Sequence, residues 1–407
     1  MIKLAIIKIN GLSPGGTEKF LQTIAMNLPK DRFKVDYYYS DPVVCKNPDS
    51  DPVVHDDSEK IALMRQAGVN LIKFNLDYVD LGVYTHDWIN TDFWDKFSEN
   101  KYDIIQTGRA GNPEYPFYKI KKTAIIDSLH LSGMVDNQYN ISRVMHICKW
   151  NANKWIKKGG DKKRVVLVSH PMDIKFKGGD LRDEYNIKDK FVFGFHQRNE
   201  DSIFSEIPLL AYKMVESESN VFIILGGSKK YREQAKSLGI KNIIFLDHSA
   251  DQQFVYKFLN TLNVYAHGRK DGEVNSTAMA EALYFGCPII SHFSEINNGH
   301  VECIGNAGAV FSNINDYAKE LNRMEKDREY YNSLSEKAKK RFFEKYELGG
   351  QMDNIISIYE DVIKRPFPNK IRRAVYHFFN FLLKRLLINK YNYKTLRKVR
   401  DYFKKIY

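Results

Sequence analysis

Cysteine is scarce in this 407-residue chain: Cys45, Cys148, Cys287 and Cys303 are the four, and no two stand in CxxC spacing. That excludes a disulfide scaffold, argues against a zinc ribbon or a dithiol pair, and is what a reducing compartment tolerates. Long apolar runs are missing too. No stretch approaches the ~18 residues of a spanning helix, and the opening MIKLAIIKIN meets Gly11 and Pro14 too soon to read as a secretory leader. The expected place is the cytoplasm, without integral membrane insertion. Basic charge is absent where a nucleic-acid groove would need it. The net charge is +12, but residues 366–407 hold twelve Lys and Arg against one acid, Asp401, which leaves 50 basic and 49 acidic residues in the rest. A nucleic-acid partner, which asks for a basic groove or helix on the folded body, is not expected.

What is present is globular, with 43% hydrophobic and 28% charged residues, and the length suits two to three domains of roughly 100–200 residues. Short β-rich runs recur at 3–9, 34–39, 70–74, 103–107, 123–126, 144–148 and 165–169, with helical spacing between several of them. In 18–28, Phe20, Ile24, Ala25 and Leu28 share a helix face. A Lys-, Gly- and Asp-rich, linker-like stretch covers 173–190, and the pattern then restarts: strands at 192–195, 221–225, 243–246, 264–266, 288–291 and 309–311, and helices at 205–215, 231–238, 252–260 and 277–285. Residues 319–345 and 350–364 read as closing helices. Alternating strands and helices predict parallel sheets covered on both faces. The expected class is α/β with two Rossmann-like, doubly wound domains facing across a cleft: 1–172, 173–365, and a basic amphipathic helical tail, 366–407.

Two segments carry chemistry. After the first strand, Asn10-Gly11-Leu12-Ser13-Pro14-Gly15-Gly16-Thr17-Glu18 runs straight into a helix, and such a turn brings backbone N–H groups and a helix N-terminus to one point, suited to phosphate or carboxylate. It lacks the Lys-Ser/Thr of a P-loop and the GxGxxG spacing, so a tight turn without a ligand explains it equally well. The second segment is Gly272-Glu273-Val274-Asn275-Ser276-Thr277-Ala278-Met279-Ala280-Glu281, followed by Gly286-Cys287-Pro288-Ile289-Ile290. Its two carboxylates lie eight positions apart across a loop-to-helix transition. Asn275, Ser276 or Thr277 can cap that helix, Glu281 falls inside it, and both acids can address one extended ligand whose diphosphate sits at the helix start.

Glu273-x7-Glu281 with the Gly286-Cys287-Pro288 turn resembles the signature of retaining glycosyltransferases of the GT-B fold, particularly glycosyltransferase family 4, the glycosyl transferases group 1. Gly15-Gly16-Thr17-Glu18, Val168-Ser169-His170-Pro171-Met172-Asp173, Gly194-Phe195-His196-Gln197-Arg198 and Ile224-Leu225-Gly226-Gly227 follow in the family's order, and the likeness spans about residues 1–365. It implies a nucleotide diphosphate sugar as donor and a glycan or lipid-linked acceptor in cell-surface polysaccharide synthesis. Glu281 would take the ribose hydroxyls, Glu273 the donor sugar, Arg198 the diphosphate together with backbone N–H groups of Val274, Asn275 and Ser276. Gly15 and Gly16 would close the site, and His130 would touch the sugar. Glu273, Arg198 and His130 form the implied catalytic set. No cofactor or metal is required by the scheme, since no DxD-type acid cluster is evident.

The chain also departs from the pattern. The family Lys about five residues after the Arg is replaced, in Arg198-Asn199-Glu200-Asp201-Ser202-Ile203-Phe204, by apolar residues, and Arg269 or Lys270 is the candidate substitute. Asn275-Ser276 replaces the usual aromatic-glycine pair. His130 has a plain alternative as a strand-end histidine. For the whole chain the alternatives are a GT-B relative with epimerase or phosphorylase chemistry, and a non-catalytic nucleotide-sugar-binding protein. In the tail, Ile371, Val375, Phe378, Phe379, Leu382 and Leu386 fall on one helical face and Arg373, His377, Asn380 and Lys384 on the other. That pattern suits an anionic membrane surface, with Arg372, Arg373, Phe378, Phe379, Lys384 and Arg385 in contact and the protein peripheral on the inner face; a helix docked on the protein's own domains is the alternative.

Overall fold

The β-rich runs of the first half pair in parallel into one sheet. Strands β1 (Ile2–Lys8), β2 (Phe33–Ser40), β3 (Asn70–Phe74), β4 (Ile104–Arg109), β5 (Ala124–Leu129), β6 (Ile141–His146) and β7 (Val165–Leu167) lie in the order β3-β2-β1-β4-β5-β6-β7. β4, β5 and β6 are buried along their whole length, as continuous apolar strands covered on both faces should be. Helices α1 (Gly16–Asn27), α2 (Ser58–Gln66), α3 (Phe93–Lys96) and α4 (Lys149–Lys157) connect them. α1 buries Phe20, Leu21, Ile24 and Ala25, the face its spacing predicts. The computed structural model describes residues 1–9, 12, 15–40, 58–76, 88, 91–109, 115–131, 133, 135–136, 138–367 and 375.

A second sheet follows with β8 (Phe191–Gln197), β9 (Asn220–Gly226), β10 (Ile243–Leu246), β11 (Val264–Ala266), β13 (Ile289–His292) and β15 (Gly308–Phe311) in the order β10-β9-β8-β11-β13-β15. β12 (Gly272–Glu273) and β14 (Asn297–Asn298) form a two-stranded ribbon. Helices α5 (Ile207–Lys213), α6 (Lys230–Leu238), α7 (Gln252–Thr261), α8 (Thr277–Tyr284), α9 (His300–Ile304), α10 (Ile314–Lys326), α11 (Arg328–Lys345) and α12 (Leu348–Lys364) complete the described elements. Both sheets are doubly wound, as expected.

Local chemistry explains where the structure departs from the sequence reading. The sixth β-run does not reach Cys148, because that thiol caps α4 by accepting from the Asn151 N–H. The single helix expected at 319–345 is two, because Asp327 ends α10 and its carboxylate accepts from the Tyr330 N–H to start α11. The stretch 173–190 is no free linker. Leu181 and Ile187 enter the second core, and the Arg182 guanidinium donates to the Thr261 carbonyl at 2.7 Å and to Asn263 at 2.9 Å.

The largest change concerns the domain limits. The chain divides into one unit of 1–168 plus the described residues from 352 onward, and a second of Ser169–Gln351. Most of α12 therefore counts with the first unit, against the 1–172 and 173–365 division. Its apolar side explains this: Ile355, Tyr359 and Val362 are buried, Tyr359 packs against Phe33, and its hydroxyl bonds Gln106 of β4. Arg143 of β6 pairs with Asp361, and Arg32 with Glu360.

Candidate active site

In the second unit the winding direction reverses between β8 and β11. At such a switch the loops leaving the strands' C-terminal ends part, and open α/β sheets bind ligands there. Arg198 follows β8, Arg269, Lys270 and Asp271 follow β11, and the ribbon strand β12 presents Glu273. Gly272 makes that exit possible. Its φ is +64°, and a Cβ there would stand 1.8 Å from the Asn297 carbonyl, so any larger residue would push the two ribbon strands apart.

The Glu273 carboxylate accepts from Arg269 Nη1 at 3.0 Å. Arg269 is at the same time held by Asp271 through Nε at 2.6 Å and Nη2 at 2.9 Å, a two-pronged pairing. Burial raises the Glu273 pKa to about 7, with Arg269 pulling it down, Asp271 pushing it up and Arg198 lowering it further. Near neutrality the carboxyl is therefore close to half ionised, and its side chain keeps 19% of its surface exposed.

Three residues on, Ser276 is the residue that caps α8: its Oγ accepts from the Met279 N–H at 3.3 Å. Val274 is buried, and its carbonyl lies where a Cβ on Gly299 would collide. Among the described residues no group accepts from the buried Asn275 Nδ2. Glu281 sits in the second turn of α8, accepts from Gln252 Nε2 at 3.2 Å and lies 4.0 Å from His196 Nε2. Burial, then His248, presses the His196 pKa down to about 4, so the imidazole next to Glu281 is neutral at pH 7.

The structure thus brings Glu273, Val274, Asn275, Ser276, Glu281, Arg198, Arg269 and Lys270 onto one end of the second sheet. Arg198 is 63% exposed and 2.8 Å from Glu200. Of the two candidate substitute cations, Arg269 is engaged by Asp271 and Glu273, while Lys270 is exposed. Ile203, where the resemblance expects the Lys, is buried. Gln252, Asp271, His292 and His300 were not singled out by the motif. Only the alternation Arg269-x-Asp271-x-Glu273, which places three charged side chains on one side of an extended segment, hinted at part of this.

The other three expected residues belong to the first unit. Gly15 and Gly16 open α1 without a side-chain cap, and a Cβ on Gly16 would meet nothing within 4 Å. His130 follows β5, buried, its ring edge-on to Phe20 of α1 at 5.0 Å. Asn10, Gly11, Ser13 and Pro14, and the tail residues Arg372, Arg373, Phe378, Phe379, Lys384 and Arg385, lie outside the described residues. Among the described residues no helix is long and apolar enough to cross a membrane.

Residues 181–341 match the family described as Glycosyl transferases group 1. No curated protein matches the chain by sequence. Solved structures share its fold at low identity. HepE from Anabaena, in complex with UDP and glucose, is 17% identical with a TM-score of 0.64 over 89% of this chain and 100% of its own. A glycosyltransferase from Rickettsia africae is 12% identical, with a TM-score of 0.66 over 89% and 99%. WaaG, a glycosyltransferase involved in lipopolysaccharide biosynthesis, is 12% identical, with a TM-score of 0.57 over 88% and 99%. Residues 181–341 are thus similar to the glycosyl transferases group 1, and the two parallel-sheet units have the GT-B fold of these solved structures.

Proposed function

We propose that this protein moves a glycosyl group, with retention at the anomeric carbon, from a nucleotide diphosphate sugar to a glycan or lipid-linked acceptor of the cell surface. The observation that carries the reading is the placement of Glu273, Glu281 and Arg198 at one switch point of the second sheet. Glu281 accepts from the ribose hydroxyls, Glu273 from hydroxyls of the donor sugar, and Arg198 with the start of α8 takes the diphosphate. The bond from the anomeric carbon to the diphosphate oxygen breaks, its electron pair leaving on the diphosphate. The acceptor oxygen bonds the same face and its proton passes to the departing phosphate. Arg198 and the α8 dipole stabilise the charge that develops. Glu273 positions and is not a nucleophile, and the scheme assigns no metal or cofactor. HepE, crystallised with UDP and glucose, and WaaG, involved in lipopolysaccharide biosynthesis, agree with this substrate class. Binding of the tail to an anionic membrane surface would bring a lipid-linked acceptor within reach.

The test is a panel of nucleotide diphosphate sugars, measured for binding and slow hydrolysis with wild type, Glu281→Ala and Arg198→Ala. One donor should be bound and hydrolysed, and each variant should weaken it tenfold to a hundredfold, since a hydrogen bond to a charged group contributes about 1.5–3 kcal/mol. No binding by the folded chain would sink the reading. The buried Ile203 in place of a cation favours one rival, a protein that binds donor without turnover; binding with neither hydrolysis nor transfer would establish it. Product analysis excludes the other, since an epimerase needs no acceptor and a phosphorylase needs inorganic phosphate.

A further inference from the structure

The loop that delivers Glu273 is held by groups whose donors and acceptors fit one protonation pattern. His292 Nδ1 lies 2.9 Å from the Phe293 carbonyl and must donate to it. Its Nε2 is then the acceptor, and it receives the Arg269 backbone N–H at 3.2 Å and Ser205 Oγ at 2.8 Å. His300 is arranged the other way round. Its Nε2 donates to the His292 carbonyl at 3.1 Å, so its Nδ1 accepts the Glu273 backbone N–H at 3.4 Å. Both rings have to be neutral for these bonds to coexist, and burial lowers the pKa of each.

The side chains of the same loop form a second restraint. A guanidinium offers five donors in a rigid fork; Asp271 takes two of them and Glu273 a third. At 16% exposure Arg269 is placed between two carboxylates of its own loop. A buried glutamate without that cation would take up a proton and lose acceptor capacity for sugar hydroxyls. The remaining titratable groups that sense Glu273 are Arg198 beyond β8, Tyr265 on β11 and Cys303 on α9, and burial pushes the last two up, so they are uncharged near neutrality.

We propose that Arg269, oriented by Asp271, and the neutral pair His292 and His300 are positioning residues that aim Glu273 and favour its carboxylate form, so that Arg269 serves Glu273 and not the donor diphosphate. This rests on Glu273 as a ligand of the donor sugar. The first test needs no donor: the infrared carboxyl band that Glu273→Gln removes is titrated in the full chain. Its midpoint should lie near 7 and rise by about one unit or more in Arg269→Gln, an opposite charge at this range being worth about 1–3 units. Arg269→Lys, which keeps the charge without the fork, should fall between.

Hydrolysis of UDP-glucose and of the rest of the donor panel gives the second readout. Arg269→Gln and His300→Phe should lower kcat about tenfold with donor KM within about twofold, and Arg269→Gln should move the acid limb of the pH profile upward. His300→Gln, which keeps an acceptor, should recover most of the rate. An unmoved Glu273 midpoint in Arg269→Gln overturns the proposal. So does a tenfold rise in KM with an unmoved pH profile, which would put Arg269 on the diphosphate. If wild type hydrolyses no nucleotide sugar, the transferase reading fails by itself, and the infrared titration still decides the positioning.

Discussion

The two units place charge at the ends of similar parallel sheets and treat it differently. In the first, Lys8 at the end of β1 meets Glu18 of α1 at 3.1 Å, and Arg109 at the end of β4 meets Asp127 of β5 at 2.7 Å, with side-chain exposures of 9% or less. Thr107 donates to the same Asp127 at 3.1 Å. In the second, the charges remain part exposed, 14% at Glu281, 19% at Glu273 and 63% at Arg198. A ligand could reach the first set only by dismantling a buried pair, which costs several kcal/mol, whereas the exposed Arg198–Glu200 pair of the second holds together by about 1 kcal/mol or less. One sheet end is built to stay shut and the other to exchange its partners.

Breaking the comparison begins with the buried pair. Asp127→Ala removes the buried carboxylate that Arg109 meets at 2.7 Å and should cost about 3–5 kcal/mol in denaturant unfolding; a loss below about 1 kcal/mol would mean that the first sheet end is as replaceable as the second. Ser276→Ala removes the α8 cap and should cost about 1 kcal/mol; on the proposed function, donor affinity should fall by more than that stability change explains, because the cap also sets the N–H groups at the start of α8. The smallest effect on stability is expected for Glu200→Gln, under about 1 kcal/mol. It should tighten donor binding by releasing Arg198, and an isothermal titration showing weaker binding would assign Glu200 itself to the ligand.

Much of this was open to a reading of the chain. The strand runs of both halves and the face of α1 follow from spacing, since burial on one or two sides imprints a period on the residues. The resemblance to the group 1 glycosyl transferases was carried by Glu273, Glu281 and the Gly286-Cys287-Pro288 turn. Gly286 adopts φ +75°, which explains why that turn is written with glycine. Asp327 and Cys148 were misread for the same reason: a cap is one side chain answering one N–H, and it interrupts a pattern without changing its composition. The linker-like 173–190 was judged on polarity, yet two of its residues, Leu181 and Ile187, suffice to anchor it.

From the sequence alone came the alternation of elements, the eight-residue separation of the two glutamates and the segregation of positive charge into the last forty or so residues, because each is a property of neighbours along the chain. The tertiary structure alone decided which partners those groups meet. It returned α12 to the first unit through Tyr359 and Gln106, 253 positions apart, committed Arg269 to Asp271 and Glu273, and set His292 and His300 behind the loop that carries them. Such pairings follow from how the sheets wind and close over their helices, and local periodicity holds no record of which distant residue lies across a sheet end.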